Sequence, residues 1–352
     1  MAKFPAAALC AFVLSILGSL TSTPAYGQKY FLTDLGTLGG SYSAGYGIDD
    51  KGRIVGTSYT VKDALFHPFV YANGNITDLG TLGGIIGFGY AINHTGNVTG
   101  YADTASGSPR AFLYTYGNMM ELPTLGGTTS EGTAINKAGV ITGVSSTFKD
   151  VAQHAFLYAY GGMLDLGTLG GRDSYGFGIN DAGQIVGFAS DALGTYHAFL
   201  YTNGSMTDIG SLGGGYGRAN GINSNGQITG SSLTARHALH AFFYSAGTMT
   251  DLGTLGGGTS EGYAINSAGQ VVGYSLTAGN ASHAFLYLNG KMTDLNALLD
   301  PSSALSSHVT LIEATGINDD ELIVANGLDV RTHEQHAYLL GCRHKGKPHK
   351  CK

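Results

Sequence analysis

Residues 165–207 read DLGTLGGRDSYGFGINDAGQIVGFASDALGTYHAFLYTNGSMT, and this pattern of 43 residues returns along the chain. The opening segment, DLGTLGG, recurs intact or altered every 43 to 44 residues. Its seven copies start at Asp34, Asp78, Glu121, Asp165, Asp208, Asp251 and Asp294. A fixed period of this length predicts an architecture in which each copy is one supersecondary unit.

Two further elements recur seven times each, in step with the first. One is an Ile-Asn pair that leads through a turn into an apolar run, as in INDAGQIVG from Ile179. The other is the triplet His-Ala-Phe, intact or altered, which begins at His67, Arg110, His154, His197, His240, His283 and His336. Asn-x-x-Gly and Asn-Gly are tight-turn signals, so each copy is predicted to form four short antiparallel strands. Four strands per 40 to 45 residues is typical of a propeller blade.

Composition supports an all-β chain. The sequence has 57 glycines in 352 residues, and only 12% of its residues are charged. Glycine in a helix interior costs roughly 0.5–1 kcal/mol, which excludes a helical bundle. A hydrophobic fraction of 43% excludes general disorder.

The two ends of the repeat region complement each other. The last copy stops after HAYLL at residues 336–340 without a fourth strand, whereas YFLTDL at residues 30–35 is a strand without a repeat. We therefore predict a seven-bladed β-propeller over residues 28–341, with four antiparallel strands per blade, closed by the N-terminal strand. An open β-solenoid is the alternative, although a solenoid would not need the missing strand returned at the other end.

The three spaced motifs resemble the HAF family of extracellular repeats, which is named for the His-Ala-Phe triplet. The resemblance covers about residues 32–340. It implies export and says little about activity. The departures are local: Arg110 and Pro68 alter the triplet, and the seventh DLGTLGG is degenerate. The chain has no Trp, which excludes the propeller families whose repeats carry that residue.

Residues 1–27 are predicted to be a secretory signal peptide. Lys3 supplies the positive charge, an apolar stretch follows, and Ala25-Tyr26-Gly27 is a cleavage site of the small-x-small type. Cleavage after Gly27 would give a secreted or periplasmic protein. A membrane anchor is the alternative, but the apolar run is too short for a span.

Residues 342–352 form a basic tail flanked by Cys342 and Cys351. In an oxidising compartment we expect these two cysteines to form a disulfide. A metal clip using His344 and His349 is the alternative. Without Lys3 and the tail, 12 basic residues stand against 24 acidic ones, so nucleic acid is not an expected partner of the body.

Most residues with chemical potential are assigned to the fold. The triplet histidines lie on different blades, too far apart to share a zinc ion, and are predicted to form hydrogen bonds within their own blades. The pairs His237 with His240 and His333 with His336 are weak metal candidates. Ser260 lies in a GxSxG string, but no helix follows it as a nucleophile elbow requires. No catalytic residue, metal or cofactor is predicted.

One position varies between the copies and is the candidate ligand site. It lies five residues before the Asn (or Asp49) that ends the first strand, and it reads Ala44, Phe88, Glu131, Tyr175, Arg218, Glu261 and Glu313. A scaffold position should repeat, whereas a functional one is free to vary. The last six residues of this series are therefore predicted to bind ligand at the mouth of a central channel. The alternative is that they face water at a strand start.

The loops between the second and third strands differ from blade to blade, and such loops commonly carry binding. The connection into the last blade is nine residues longer than the others and is expected to cap or flank the channel. We predict a monomeric, non-catalytic binding module that recognises a glycan or protein ligand on its loop-rich face. A carbohydrate-active enzyme with carboxylates at the channel mouth and a structural or adhesive surface protein are the alternatives.

Overall fold

The computed structural model describes residues 29–344 and 347–349, and the chain is nearly all-β. The described residues form 29 strands and three short 3-10 helices. Twenty-eight of the strands group into seven four-stranded antiparallel units, which we number one to seven along the chain. The predicted strand content and the predicted four strands per repeat are confirmed.

Each unit begins with an inner strand of nine or ten residues. The inner strands are β2 (Gly39–Ile48), β6 (Gly83–Ile92), β10 (Gly126–Ile135), β14 (Gly170–Ile179), β18 (Gly213–Ile222), β22 (Gly256–Ile265) and β26 (Val309–Ile317). The second strands are β3 (Ile54–Thr60), β7 (Val98–Thr104), β11 (Ile141–Thr147), β15 (Ile185–Asp191), β19 (Ile228–Thr234), β23 (Val271–Thr277) and β27 (Ile323–Asp329).

The third strand of each unit carries the His-Ala-Phe triplet, and the outer strand ends in the first residue of the DLGTLGG motif. The third strands are β4 (Phe66–Ala72), β8 (Pro109–Thr115), β12 (Gln153–Ala159), β16 (Tyr196–Thr202), β20 (Leu239–Ser245), β24 (Ser282–Leu288) and β28 (Gln335–His344). The outer strands are β5 (Asn75–Asp78), β9 (Asn118–Glu121), β13 (Gly162–Asp165), β17 (Ser205–Asp208), β21 (Thr248–Asp251), β25 (Lys291–Asp294) and, in unit seven, β1 (Phe31–Asp34). The last strand, β29 (Lys347–His349), pairs with the end of β28. The 3-10 helices are Val61–Asp63, Phe148–Asp150 and Leu295–Leu298.

The units belong to five hydrogen-bonded sheets, and none of these sheets closes on itself. Units one and two are joined by a single parallel bridge pair, Phe66 with Ile86, and units five and six by Leu239 with Thr259. Strand β1 pairs with β28 in the register Phe31 to Gly341 and Asp34 to Tyr338. The first described strand is therefore the outer strand of unit seven, as predicted.

The core lies between the units rather than within them. A phenylalanine of the third strand, such as Phe112 or Phe156, is fully buried in every unit except the last, where Tyr338 replaces it. Seven apolar clusters each join neighbouring units, and one joins Val324 of unit seven to Ile54 of unit one. The succession of clusters thus returns to its start.

A ring of asparagines crosses all seven units where the inner strands end. In six units the Asn Nδ2 donates to the backbone oxygen of the equivalent residue in the next unit, at 2.9–3.2 Å. Unit one carries Asp49, which cannot donate, and Arg53 takes over by donating Nη2 to the oxygens of Asn93 and His94. Arg53 Nε also donates to Asp49 Oδ2 at 2.7 Å. The ring is thereby completed with a different residue pair.

The long connection into unit seven does not lie at the centre, contrary to expectation. Its 3-10 helix and the turn after it pack on the outside of the unit, where Leu295 and Leu299 are buried against Tyr30. Tyr30 donates its backbone N–H to Leu298 and accepts a hydrogen bond from Asp300. The longer connection therefore holds β1 in the sheet of unit seven through backbone hydrogen bonds and apolar contacts.

Candidate functional site

A cavity of about 420 Å³ lies at the centre of the inner strands. Every one of the seven inner strands contributes to its wall. The lining residues are Tyr46, Tyr90, Glu131, Thr133, Phe177, Arg218, Asn220, Tyr263, Glu313 and Thr315. A cavity of this size can enclose a small ligand or one side chain of a larger one.

The six predicted ligand residues have different positions in the structure. Glu131, Arg218 and Glu313 line the cavity. Phe88 and Tyr175 are not lining residues: Phe88 stacks on Tyr101, and Tyr175 stacks on Phe188 at a centroid distance of 4.7 Å. Glu261 is also absent from the wall, since it is 9% exposed and lies behind Arg218 and Asn220. Their role in binding stays a prediction.

Most of the wall comes from the position three residues before the ring asparagine. The sequence-based prediction of the site did not include this position. That position reads Tyr46, Tyr90, Thr133, Phe177, Asn220, Tyr263 and Thr315, and all seven line the cavity. In every unit this residue is the extra one at a β-bulge, as between Gly45 and Gly47 in β2. Bulges redirect side chains beside functional sites. The position varies between copies, which is the signal that could have identified it.

The residue after the bulge is always Gly or Ala because neighbouring inner strands touch there. A Cβ on Gly47 would lie 2.8 Å from the backbone oxygen of Tyr90 in the next unit. Such a distance is too short for an added atom, so this position must stay small. Close packing of the inner strands is what gathers seven side chains around one cavity.

Arg218 lies flat against an aromatic wall. Its guanidinium carbon is 4.2 Å from the centroid of Phe177 and 5.9 Å from that of Phe188, which is a cation–π arrangement. Its Nε is 3.9 Å from Glu261, too far for a hydrogen bond, and this buried nitrogen has no partner among the described residues. Arg218 is therefore held by its aromatic neighbours, and its guanidinium makes no hydrogen bond with a described residue.

Two carboxylates of the site, Glu261 and Glu313, already have partners. Glu261 accepts a hydrogen bond from Asn220 Nδ2 at 2.8 Å, and Glu313 accepts one from Asn326 Nδ2 at 2.9 Å. Burial raises the pKa of Glu313; the hydrogen bond from Asn326 lowers it, and the charge of Glu261 raises it further. These two acids are integrated into the wall.

Glu131 differs from them. It makes no hydrogen bond and no ion pair with any residue that the structure describes, and burial raises its pKa. The tyrosines nearest to its charge are Tyr90, Tyr101 and Tyr175. Burial, with the charge of Glu131 next in size, raises the pKa of Tyr101 to about 12. Glu131 is an unneutralised acid in an aromatic setting.

The triplet histidines are structural, as predicted. In six units the histidine Nδ1 lies 2.6–3.2 Å from the carboxylate of the motif aspartate in the same unit. In unit two both residues are changed together, and Arg110 pairs with Glu121 at 3.2 Å. Within the described part of the chain, no group of three or more His, Cys, Asp or Glu side chains could hold a metal ion.

Several apolar side chains are exposed at the loop-rich end of the units. Val61, Phe148, Val151, Leu193 and Val330 all belong to the connections between second and third strands. Exposed apolar groups gathered at one end of a molecule are typical of an interaction surface.

Two predicted features, the signal peptide and the disulfide, cannot be followed within the described residues. The signal peptide, residues 1–27, is entirely outside them, and so is Cys351, the predicted partner of Cys342. Cys342 itself is in β28, opposite His349 in the register with β29. Among described residues, no helix is long and apolar enough to cross a membrane.

Comparison with known proteins places the fold among the β-propellers. No family model matches the sequence, and the search of curated proteins gave no match. YCF48 bound to D1 peptide is similar over 92% of this chain and 98% of its own, with a TM-score of 0.55 and 10% identity. An acylaminoacyl peptidase from Pyrococcus horikoshii is similar over 88% of this chain and 52% of its own, with a TM-score of 0.53 and 10% identity. TolB from Acinetobacter baumannii has a TM-score of 0.46, with 11% identity, over 82% of this chain and 79% of its own. At these identities the likeness concerns the fold alone.

Proposed function

We propose that this chain is a seven-bladed, HAF-type propeller, exported with Gln28 as its first residue, that binds a ligand without chemistry. Seven four-stranded units, seven clusters between neighbours and a ring of asparagines support the blade count. The ligand would contact the central cavity and the loop-rich end, where the copies differ most. The partner proposed here is a glycan or protein of the cell envelope or the extracellular medium.

The central cavity is the observation that carries this proposal. Its wall is assembled from positions that vary between otherwise similar repeats, whereas the asparagine ring at the other end of the inner strands is nearly invariant. The guanidinium of Arg218 also lines the cavity and makes no hydrogen bond with a described residue. Variable side chains on a rigid repeating scaffold are well suited to recognition.

The test is a screen of the purified mature protein against glycan and peptide arrays, followed by titration calorimetry on the strongest hit. We expect Arg218→Ala to weaken binding at least tenfold, about 1.4 kcal/mol. Lys137→Ala is the matched control, because Lys137 is a cation at the opposite end of the inner strands. Glu261→Ala is a poor variant for this purpose, since Glu261 is buried and hydrogen-bonded.

Two outcomes would contradict the proposal. Unchanged affinity in Arg218→Ala would move the site to the outer loops. Release of product from an array glycan would show that the protein is a carbohydrate-active enzyme.

A further inference from the structure

The carboxylate of Glu131 is the group in the cavity that most requires a partner. Glu131 is half-buried in the cavity wall, and a carboxylate that is partly removed from water without a compensating charge or hydrogen bond is destabilised. Every other charged side chain that faces the cavity has a neighbour of opposite or complementary character, as Glu313 has in Asn326 and Arg218 in Glu261. Glu131 has neither among the described residues, so a ligand group is expected to complete its environment.

The net charge of the cavity indicates which charge the ligand group should carry. The cavity wall and the residues directly behind it carry three carboxylates, Glu131, Glu261 and Glu313, but only one guanidinium, that of Arg218. Arg218 lies beside Glu261, so its positive charge offsets the negative charge of that residue. Glu131 belongs to unit three, and its negative charge is not offset by Arg218. A cation would therefore gain most by binding next to Glu131.

The rings around Glu131 are fixed and suit a cation. Tyr101 stacks on Phe88 at a centroid distance of 5.0 Å, and Tyr90 lies 6.0 Å from Tyr101. An ammonium or guanidinium group is attracted to the faces of aromatic rings and to a carboxylate beside them. The combination of a half-buried acid with nearby tyrosine rings favours a cation over a neutral polar group of the same size.

We propose that the cavity takes the ammonium or guanidinium side chain of a basic peptide segment, held by Glu131 and Tyr90, which both line the cavity. The proposal rests on the proposed function, because it names the ligand of that same cavity. The peptide backbone would cross the loop-rich end, where Val61, Phe148 and Leu193 expose apolar surface. That surface suits a partly apolar polypeptide better than a glycan, and the excess of acidic residues in the body attracts a basic one.

The experiment uses the mature protein and two blocked pentapeptides, Ac-Ala-Leu-Lys-Leu-Ala-NH2 and the same peptide with norleucine in place of lysine. Calorimetry at low salt should show the lysine peptide binding at least tenfold more tightly than the norleucine peptide. Glu131→Gln keeps the shape of the side chain and removes its charge, so it should abolish that difference. Glu121→Gln, an outer-strand carboxylate paired with Arg110, is the matched control and should keep it.

Folding is monitored separately, because the melting temperature of Glu131→Gln should equal or exceed that of the parent when a buried charge is removed. Equal affinity for the two peptides, or an unchanged preference in Glu131→Gln, would overturn the proposal. So would Glu131-dependent binding of glucosamine oligomers without binding of the lysine peptide, which would assign the cation to an amino sugar. If Arg218→Ala weakens binding of an array ligand but Glu131→Gln leaves its affinity unchanged, this inference fails while the proposed function stands. If no ligand binds, both fail.

Discussion

The triplet histidine and the motif aspartate form a pair in six units; they lie 11 residues apart in five of these, and in unit seven His336 pairs with Asp34 from the start of the described chain. Unit two shows that the pairing matters, because its histidine and its aspartate are replaced together, by Arg110 and Glu121. In the sequence these are two separate departures from the repeat. In the structure they are a single exchange of one ion pair for another, which preserves the link between the third and outer strands.

Two tyrosines lie where units one, four and six have an asparagine, a residue that tolerates a left-handed backbone. Tyr116 and Tyr160 have φ values of 48° and 52° in the turns between third and outer strands, where Asn73 and Asn203 stand in units one and four. Both tyrosine side chains are fully exposed. Their rings therefore gain little burial to offset the unfavourable backbone conformation.

We predict that Tyr116→Asn and Tyr160→Asn each increase the free energy of unfolding by up to about 1 kcal/mol, because asparagine visits this region more easily. Urea denaturation with an unchanged m-value measures the gain. Asn203→Tyr is the matched control and should lose a similar amount. A loss of stability in the two tyrosine variants would show that the rings make stabilising contacts.

At the scale of elements, β1 is the strand on which the last unit depends. It buries Tyr30, Leu32 and Leu35, which are 1%, 8% and 4% exposed. Full burial of such side chains stabilises by about 1.5–3 kcal/mol each. The strand is held on one side by β28 and on the other by the 3-10 segment that follows Asp294.

Deleting residues 28–36 should therefore lower the free energy of unfolding by roughly 5 kcal/mol, a large share of the 5–15 kcal/mol typical of a folded domain. Thermal melts of the truncated and intact mature chains measure the loss. A synthetic peptide of residues 28–36 added in trans should restore part of the melting temperature in a concentration-dependent manner. Coincident melts, or no effect of the peptide, would show that β1 contributes little.

The ion pair that ties β1 to the third strand of unit seven should make stability depend on pH. The hydrogen bond from His336 to Asp34, with smaller contributions from the charges of Asp34, Glu334 and Asp329, raises the pKa of His336 above its usual 6.5, while burial opposes the shift. A raised histidine pKa adds stability that is complete below about pH 6.5 and is lost as pH rises through the folded-state value.

We expect the melting temperature of the parent to fall more steeply than that of His336→Asn as the pH rises above about 6.5. Thermal melts at half-unit pH intervals measure both slopes. Since Glu131 and Glu313 are unchanged in the variant, their own pH dependence cancels in the comparison. Parallel slopes would indicate that His336 carries no stabilising charge.

At the scale of the whole molecule, the asparagine ring links all units, and its one irregular member is the pair Asp49 and Arg53. The Asp49 side chain is 1% exposed, so its charge depends on Arg53. Removing one partner of a buried ion pair typically costs 3–5 kcal/mol, whereas replacing both by a neutral pair costs much less.

Arg53→Ala should accordingly destabilise the protein by about 3 kcal/mol, measured by urea denaturation. The double variant Asp49→Asn with Arg53→Gln copies the pair found in unit four, Asn180 with Gln184, and should recover most of that loss. If the single variant is as stable as the parent, the pair is not needed to complete the ring.

The last prediction concerns the first residue of the exported protein and the disulfide of its tail. The secreted protein should begin at Gln28 and contain no free thiol, because Cys10 is removed with residues 1–27 and Cys342 pairs with Cys351. Intact mass with and without reductant, and alkylation of the native protein, measure both features. A mass that retains residues 1–27, or two alkylated cysteines in exported material, would contradict this prediction.

The sequence by itself determined the strands, their number per repeat, the histidine pairing within units and the return of residues 30–35 to the last unit. These features follow from a local period of 43 to 44 residues and from turn signals only a few residues long. They need no knowledge of which units touch.

The composition of the candidate site was decided only by the tertiary structure. Glu131, Glu261 and Glu313 occupy equivalent sequence positions, yet one is unpartnered, one is buried behind Arg218 and one is bonded to Asn326. The partner of Glu261, Asn220, lies 41 residues away in the neighbouring unit, whereas the partner of Glu313, Asn326, lies 13 residues away on the adjacent strand of the same unit. Which side chains face the cavity also depends on bulges whose position is set by strand pairing. The segment after Asp294 likewise holds β1 in place, because apolar side chains of both are buried together. These contacts join residues more than 260 positions apart in the sequence.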